Sequence, residues 1–308
     1  MTSTVHPSDP GDLYPTRTPH ATAPFPRRHP VVWSADAEGP LSSARLSAYD
    51  RDGCLHFDAL LSEEETAACL EETGRLKADR SLNASGRVVP EPHGGGIRSV
   101  FEVHALSDTF ARIVRSAGLV GIARQILGSE VYVHQTRVNL KSAFTGSGFG
   151  WHSDFETWHS EDGMPAPRAL SLSIALSENA PYNGPLMIIP GAHRTFVPSA
   201  GRTPPDYHHT SLQGRDLPAG PPDRAEVAAL ARDLGIRQFT GPAGSAVAFD
   251  SNSLHASASN VSPFPRTNLF VVYNSVENPI GTPYAAPRAR PAYLASRTFT
   301  PLPRLSAG

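Results

Sequence analysis

The chain places a His-x-Asp pair, His152 and Asp154, 103 residues ahead of a second histidine, His255, with Arg266 eleven residues further on. On extended backbone, residues i and i+2 point the same way. His152 and Asp154 are therefore expected to grip one ion together, and His255 to complete a set of two imidazoles and one carboxylate. Such a set leaves coordination positions open and is the donor pattern of non-haem Fe(II) oxygenases. An arginine one strand beyond the distal histidine suits 2-oxoglutarate. The keto acid chelates iron through its keto oxygen and C1 carboxylate, and its far carboxylate needs a cation, which Arg offers as a bidentate fork.

Thirteen histidines compete for these roles. His104, His159, His193, His208 and His209 are candidates on composition alone. His193, in the turn Pro190-Gly191-Ala192-His193-Arg194, reads as structural, and His208-His209, in a Pro-rich stretch, as solvated. Zinc accepts the same three donors, but a zinc hydrolase also needs a general base, and no His-Glu-x-x-His is present. The chain lacks a GxGxxG after a strand, a GxxxxGK[ST] and a GxSxG, which disfavours nicotinamide, P-loop and α/β-hydrolase chemistry.

These residues need a scaffold. The chain is long enough for a sizeable core, at 308 residues and 39% hydrophobic. We expect one domain over 1–308 with a Pro-rich N-terminal arm over about 1–40. That arm carries eight prolines, with residues 1–10 read as disordered; Tyr14, Phe25 and Val31-Val32-Trp33 are apolar handles that could strap the rest onto a core. From Pro279 the tail holds six prolines and reads as an ordered, irregular strap. Net charge is −2, which argues against nucleic acid or an anionic membrane as partner. Two cysteines, Cys54 and Cys69, exclude a disulfide framework and suit a reducing cytosol. No apolar run approaches the roughly 20 residues of a membrane span, and the N-terminus shows no secretory signal.

Helix signals come early. Ser62 and Glu65 form a capping box before Ala67, Leu70 and Leu76. Asp108 is placed to cap a helix through Phe110, Ile113 and Val114, and a second run through Ile122 and Ile126 stops at Gly128. Asp223 and Glu226 open a third helix with Val227, Leu230 and Leu234 on one face. Strand signals dominate later, at 131–141, 169–176, 186–189, 245–250 and 268–274. The 30 prolines and 25 glycines also suit a loop-rich β architecture. The expected class is mainly β with flanking helices, an antiparallel sandwich or barrel rather than a doubly wound sheet. In the strand 131–141, period two puts Val131, Val133, Gln135, Arg137, Asn139 and Lys141 on one face. That face reads as the polar lining of a lumen, with a solvent-facing sheet surface as the alternative. Arg266, Asn268, Phe270 and Val272 repeat the pattern.

The run Phe149-Gly150-Trp151-His152-Ser153-Asp154-Phe155-Glu156-Thr157-Trp158-His159 resembles the signature of ectoine hydroxylases, within the phytanoyl-CoA dioxygenase superfamily. The likeness extends over nearly the whole chain. It takes in Asp12-Leu13-Tyr14-Pro15, Arg98-Ser99-Val100-Phe101-Glu102, His134-Gln135-Thr136-Arg137-Val138-Asn139, Asn183-Gly184-Pro185-Leu186 and Pro263-Phe264-Pro265-Arg266. The resemblance implies a double-stranded β-helix (jelly-roll, cupin-like) core in a cytoplasmic, often homodimeric enzyme of compatible-solute synthesis. It implies Fe(II), with 2-oxoglutarate and O₂ as cosubstrates, and hydroxylation of ectoine, a small zwitterion, to 5-hydroxyectoine. By matching position it assigns the metal to His152, Asp154 and His255, and 2-oxoglutarate to Lys141 and Arg266 with Asn139 and Ser257. It assigns the substrate pocket to Gln135, Thr157, Trp158, Phe249, Phe270 and Arg290. Aromatic faces such as Trp158 and Phe270 suit the amidinium, and Arg290 the carboxylate; ordinary core aromatics and a solvated arginine are the alternatives.

The chain departs from that family at a few positions. It has Ala256-Ser257-Ala258 where Gly-Ser-Asn is usual, Arg202 where an acid is usual, and Pro167 where a larger apolar residue is expected. These departures motivate a second reading, a hydroxylase of another small amino acid. A third is a ligand-binding β-barrel without chemistry.

Overall fold

The structure, a computed structural model, describes residues 11–20, 22–34, 38–92, 95–213 and 219–303. The reading of residues 1–10 falls outside these.

Capping chemistry sets the helix ends. The helices used below are α1 (Ser43–Asp52), α2 (Glu63–Ala78), α3 (Asp108–Val114), α4 (Ala117–Leu127), α5 (Asp154–Asp162) and α6 (Arg224–Leu234). The Ser62–Glu65 capping box forms as expected. Ser107, not Asp108, caps α3, its hydroxyl accepting from the Phe110 N–H, while Asp108 sits in the first turn where an acid suits the helix dipole. Gly128 ends α4 in the left-handed conformation. Asp223 caps α6, but Leu234 is 44% exposed, so the apolar face of that helix is narrower than its spacing suggests. Two helices carry no apolar stripe and so were not expected. In α1 only Tyr49 is buried, and α5 is rich in acids.

The strands are β1 (Cys54–Phe57), β2 (Val88–Pro90), β3 (Ile97–Phe101), β4 (Val131–Lys141), β5 (Phe149–His152), β6 (Ala169–Ala175), β7 (Leu186–Ile188), β8 (Arg237–Phe239), β9 (Ala246–Asp250), β10 (His255–Ser257) and β11 (Arg266–Ser275). Among the described residues they form a seven-stranded sheet, β1-β9-β6-β11-β4-β3-β2, and a four-stranded sheet, β8-β7-β10-β5. Pairing within both is antiparallel. This is the antiparallel sandwich expected from the late strands and the double-stranded β-helix implied by the resemblance, with helices backing one face.

The two faces of the large sheet do different work. Leu170, Leu172 and Ile174 of β6, Ala246 and Ala248 of β9, and Leu269, Val271 and Tyr273 of β11 pack against the helices in the main core. The alternate residues face the lumen between the sheets, as period two requires. There Phe249 and Phe270 join Leu186, Ile188 and Val247 in a second cluster.

The face assignment of β4 needs one correction. Val272 of β11 pairs with Gln135 and Tyr273 with Val133, so His134 is an extra residue in a bulge. A bulge flips the alternation. Val131 and Val133 therefore lie in the helix-side core together with Val138 and Leu140. Gln135, Arg137, Asn139 and Lys141 keep the lumen face expected of them.

The described segments at both ends are straps. Tyr14 is fully buried beside Phe155 and Phe196, and Phe25–Pro26 pairs with Thr195–Phe196. Val31 enters the main core, and Arg168 lies 4.4 Å over the Trp33 ring. The tail runs from 279 to 303 without helix or strand and ties Ser296 N–H to the His134 carbonyl at 2.9 Å. Cys54 and Cys69 are free and buried. Among the described residues no helix is long and apolar enough to cross a membrane.

Leu172 is fully buried in the main core. Leu172→Ala is expected to cost about 2–5 kcal/mol, and Ser62→Ala, which removes half of a capping box, about 1 kcal/mol. Denaturant unfolding of both variants checks the ranking.

Candidate active site

Cross-strand register brings the distant histidine to the candidate metal site. On the small sheet, His255 of β10 is the direct partner of His152 of β5. Their rings lie 4.1 Å apart. His152 ends its strand, Ser153 stays extended and caps α5, and Asp154 is the first helical residue. The expected extended His-x-Asp is thus a strand-to-helix junction, and the same-side placement comes from the single extended residue between the ligands. The Nε2 atoms of His152 and His255 lie 3.8 and 3.9 Å from the two carboxylate oxygens of Asp154. Among the described residues this is the only such trio, with donor atoms all within 4.8 Å.

The donor chemistry fits a divalent transition metal. Nδ1 of His152 donates to the Gly150 carbonyl at 2.8 Å, and Nδ1 of His255 to the Ser253 carbonyl at 3.0 Å. A carbonyl only accepts, so each Nδ1 carries the proton and each Nε2 presents a lone pair inward. Ser171 Oγ donates to Asp154 Oδ2 at 3.2 Å and orients the carboxylate. Burial alone would raise the Asp154 carboxyl, but His255, Arg137 and His152 outweigh it and hold it below the ordinary range. Burial, reinforced by His152, pushes His255 down to about 4, which keeps the imidazole neutral and able to ligate.

Beyond the trio, the lumen is cationic at one end. Lys141 and Arg266 are direct partners across β4 and β11. Lys141 Nζ donates to the Ser147 and Ala258 carbonyls at 2.8 and 2.6 Å. Burial, then Arg266 and Arg98, push its ammonium down to about 6. Arg266 Nη1 donates to the Gly184 carbonyl at 2.8 Å, its Nε is buried without a partner, and burial lowers it to about 10. Arg98 stacks 3.7 Å over Phe149 and reaches Glu91 at 3.5 Å. Two buried guanidiniums and an amine ready to take up a proton thus stand against one carboxylate, an arrangement that accepts an anion. Asn139 Oδ1 accepts from Ser99, and Ser257 is buried on β10 beside this end. The departure at Ala258 meets Lys141, whereas Pro167 gives its carbonyl to Arg27, under the N-terminal arm.

A cavity opens on the other side of the trio, lined by Gln135, Arg137, Thr157, Trp158 and Arg290 among others. Gln135 donates to the Leu294 carbonyl and accepts from Arg137. Phe249 lies deeper, 4.9 Å from the His255 ring. One face of Phe270 is already covered by the Arg137 guanidinium at 4.5 Å. Arg290, expected to meet a substrate carboxylate, is held by Asp162 through Nε at 3.0 Å and Nη2 at 2.5 Å. Its charge is neutralised within the protein. Arg137 is the cation the sequence reading did not assign. It lines the cavity, and among the described residues no carboxylate pairs with it within 4.0 Å. Its place between Gln135 and Asn139 on the lumen face of β4 was the available signal.

The competing histidines have other work. His159 is clamped between the Met164 carbonyl and Asp12, His104 meets Thr136, and His193 meets the Asp50 carbonyl. His208 is buried on the helical turn His208–Ser211, not solvated as its Pro-rich context suggests. His134 is buried with both ring nitrogens unpartnered, and burial lowers it to about 4.

His134 and His255 both sit near 4 when folded, below the ordinary 6.5. The unfolded chain therefore binds more protons between pH 6.5 and 4. Metal-free protein is expected to hold this stability above pH 6.5 and lose it as pH falls toward 4. Denaturation midpoints at pH 7.5, 6 and 5 test the trend; a flat series would overturn it.

The comparisons agree with this geometry. The model of the Phytanoyl-CoA dioxygenase (PhyH) family matches residues 49–268. The ectoine dioxygenase of Nocardia farcinica (strain IFM 10152) is 53% identical over 296 residues, 96% of this chain and 97% of that protein. The crystal structure of EctD from S. alaskensis with 2-oxoglutarate and 5-hydroxyectoine superposes with a TM-score of 0.84 at 42% identity, covering 96% of this chain and 99% of that one. The same enzyme with bound Fe gives a TM-score of 0.82 at 41% identity, with the same coverage. By family match, by identity along almost its whole length and by fold, this chain belongs to the phytanoyl-CoA dioxygenase family.

Proposed function

We propose that this protein is an Fe(II)- and 2-oxoglutarate-dependent dioxygenase that hydroxylates ectoine to 5-hydroxyectoine. The observation that carries the reading is the trio His152, Asp154 and His255, set between an anion-accepting end and a cavity that holds a further unpaired cation. Iron bound by the trio, with O₂ and 2-oxoglutarate, supplies the oxidation that yields succinate and CO₂ and places one oxygen atom on the substrate.

The protein's own groups bind, orient and exclude water. Arg266 and Lys141 hold the far carboxylate of 2-oxoglutarate, with Asn139 and Ser257 beside them. The carboxylate returns to Arg266 the charged partner it lacks and favours the protonated form of Lys141. Gln135, Thr157 and Trp158 shape the substrate cavity, with Phe249 and Phe270 behind them. A small zwitterion finds two kinds of wall there. Arg137 is placed to take its carboxylate, with Arg290 held back by Asp162 as a structural member of the wall. The aromatic face of Trp158 takes the amidinium at about 0.5–2 kcal/mol. We carry the homodimer and the cytoplasmic location implied by the resemblance in the same reading.

The first test is anaerobic reconstitution with Fe(II), followed by succinate release with 2-oxoglutarate and O₂, with and without ectoine. Ectoine-stimulated succinate and a product heavier by one oxygen atom are expected. Succinate release indifferent to ectoine would reject the substrate and favour another small amino acid. The two arginines are expected to separate. Arg266→Ala raises the KM for 2-oxoglutarate, and Arg137→Gln raises the KM for ectoine, each about tenfold or more for loss of a charge-assisted contact. Equal effects of both on both ligands would overturn the division of the cavity.

A further inference from the structure

The N-terminal arm lies outside the segment matched by the family model, which begins at residue 49. It nevertheless reaches the helix that begins with the ligand Asp154. Arg17 is the contact. Its guanidinium is buried, with Nε and Nη2 donating to the two oxygens of Glu156 at 3.0 and 2.9 Å. Nη1 donates to Glu161 at 2.6 Å and to Thr203 at 2.9 Å. Thr16 adds a hydroxyl to Glu156 at 2.7 Å. One planar fork thus fixes two carboxylates five residues apart on α5, in front of the cavity that Arg17 and Glu161 both line.

The same side chain supports the opposite wall. Tyr207 lies 5.7 Å beneath the guanidinium, and Gly220 is packed against it so closely that a Cβ there would stand 3.2 Å from Nη2. The Arg17 N–H is fixed to the Ser199 carbonyl at 2.7 Å, and Ser199 Oγ donates to the Gly220 carbonyl at 2.9 Å. Arg17 itself is held at φ +53°, a left-handed conformation that is unfavourable for a non-glycine residue. Its surroundings are built tightly enough to hold it there.

Charge gives the arrangement a direction. Glu156, Glu161 and Asp162 are buried on α5, and the arginines that contact them are Arg17 and Arg290. Among the described residues, three carboxylates against two guanidiniums leave this wall one negative charge in excess. Because Glu156 takes both Nε and Nη2 of Arg17 while Asp162 takes Arg290, Glu161 is the most weakly compensated of the three; it lines the same cavity as the cationic Arg137. We infer that Arg17 is a positioning residue that fixes the substrate-side wall and presents the Glu161 carboxylate toward the amidinium of the substrate. The inference rests on the ectoine reading above.

Arg17→Lys tests it, because an ammonium is a point charge that can hold one of the two carboxylates but lacks the fork for both. Glu161→Gln is the second variant, keeping shape while removing the charge. Both are reconstituted with Fe(II) and measured for iron retention, KM for 2-oxoglutarate, KM for ectoine, and succinate formed per hydroxylated product. The expected result is an ectoine KM raised about tenfold or more and excess succinate, with iron retention and the 2-oxoglutarate KM changed by about twofold or less. A parallel loss of all four would make Arg17 a fold-stabilising residue only and overturn the inference. Unchanged ectoine KM and coupling in both variants would also overturn it. The unmodified enzyme is run alongside. Its failure to respond to ectoine overturns the substrate reading together with this inference, whereas its normal response with no selective change in the variants overturns this inference alone.

Discussion

Burying charge inside a sheet lumen is the constraint on which this structure depends. An ionised group removed from water is tolerated only with a partner, a metal or a set of hydrogen bonds. Here the lumen holds Asp154, Lys141, Arg266, Arg98 and Arg137, most of them without an opposite charge in contact. Carbonyl oxygens from Ser147, Ala258 and Gly184 satisfy some of the donors, but carbonyls do not neutralise. What remains is a charge pattern that a metal cation, a dicarboxylate and a zwitterion together complete. Function is written in what the protein leaves unpaired.

The opposite strategy governs the helix that begins at Asp154. Nearly every residue of α5 is buried, although four of its nine are acids. Asp154 belongs to the trio able to hold a metal, and the others are met by arginines from outside the sheets, Arg17 from the arm and Arg290 from the tail. A second arm residue, Arg27, pairs with Asp250 at 2.7 Å, five residues before His255. The helix that begins with Asp154 and the strand end five residues before His255 are therefore clasped by the same irregular N-terminal stretch. Strands alone would place His152 and His255 side by side, but they would not hold a helix of carboxylates against them.

The bulge at His134 shows how a local irregularity serves the site. Were His134 accommodated in regular pairing and not in a bulge, the alternation of Val131 and Val133 would continue and put Gln135, Arg137, Asn139 and Lys141 on the helix side. The bulge keeps the apolar start of β4 in the core while turning its polar end inward. The cost is a buried imidazole without a hydrogen-bond partner, packed 4.9 Å from the ring of Trp158.

Much of this was legible in the residues. The spacing of His152, Asp154, His255 and Arg266 pointed to the reaction class because ligand type and the i, i+2 geometry of extended backbone are local facts. The capping box at Ser62, the stop at Gly128 and the period-two strands were legible for the same reason. Tertiary structure decided what depends on long-range neighbours. The cross-strand pairing of His152 with His255 is one case, and the bulge that splits the faces of β4 is another. Ion pairing is the third: in a linear sequence Arg290, Arg137 and Arg17 are equivalent cations. Only the fold gives Asp162 to the first and Glu156 and Glu161 to the third, and leaves the second facing the cavity, because charge neutralisation is settled by distance in space and not by position along the chain.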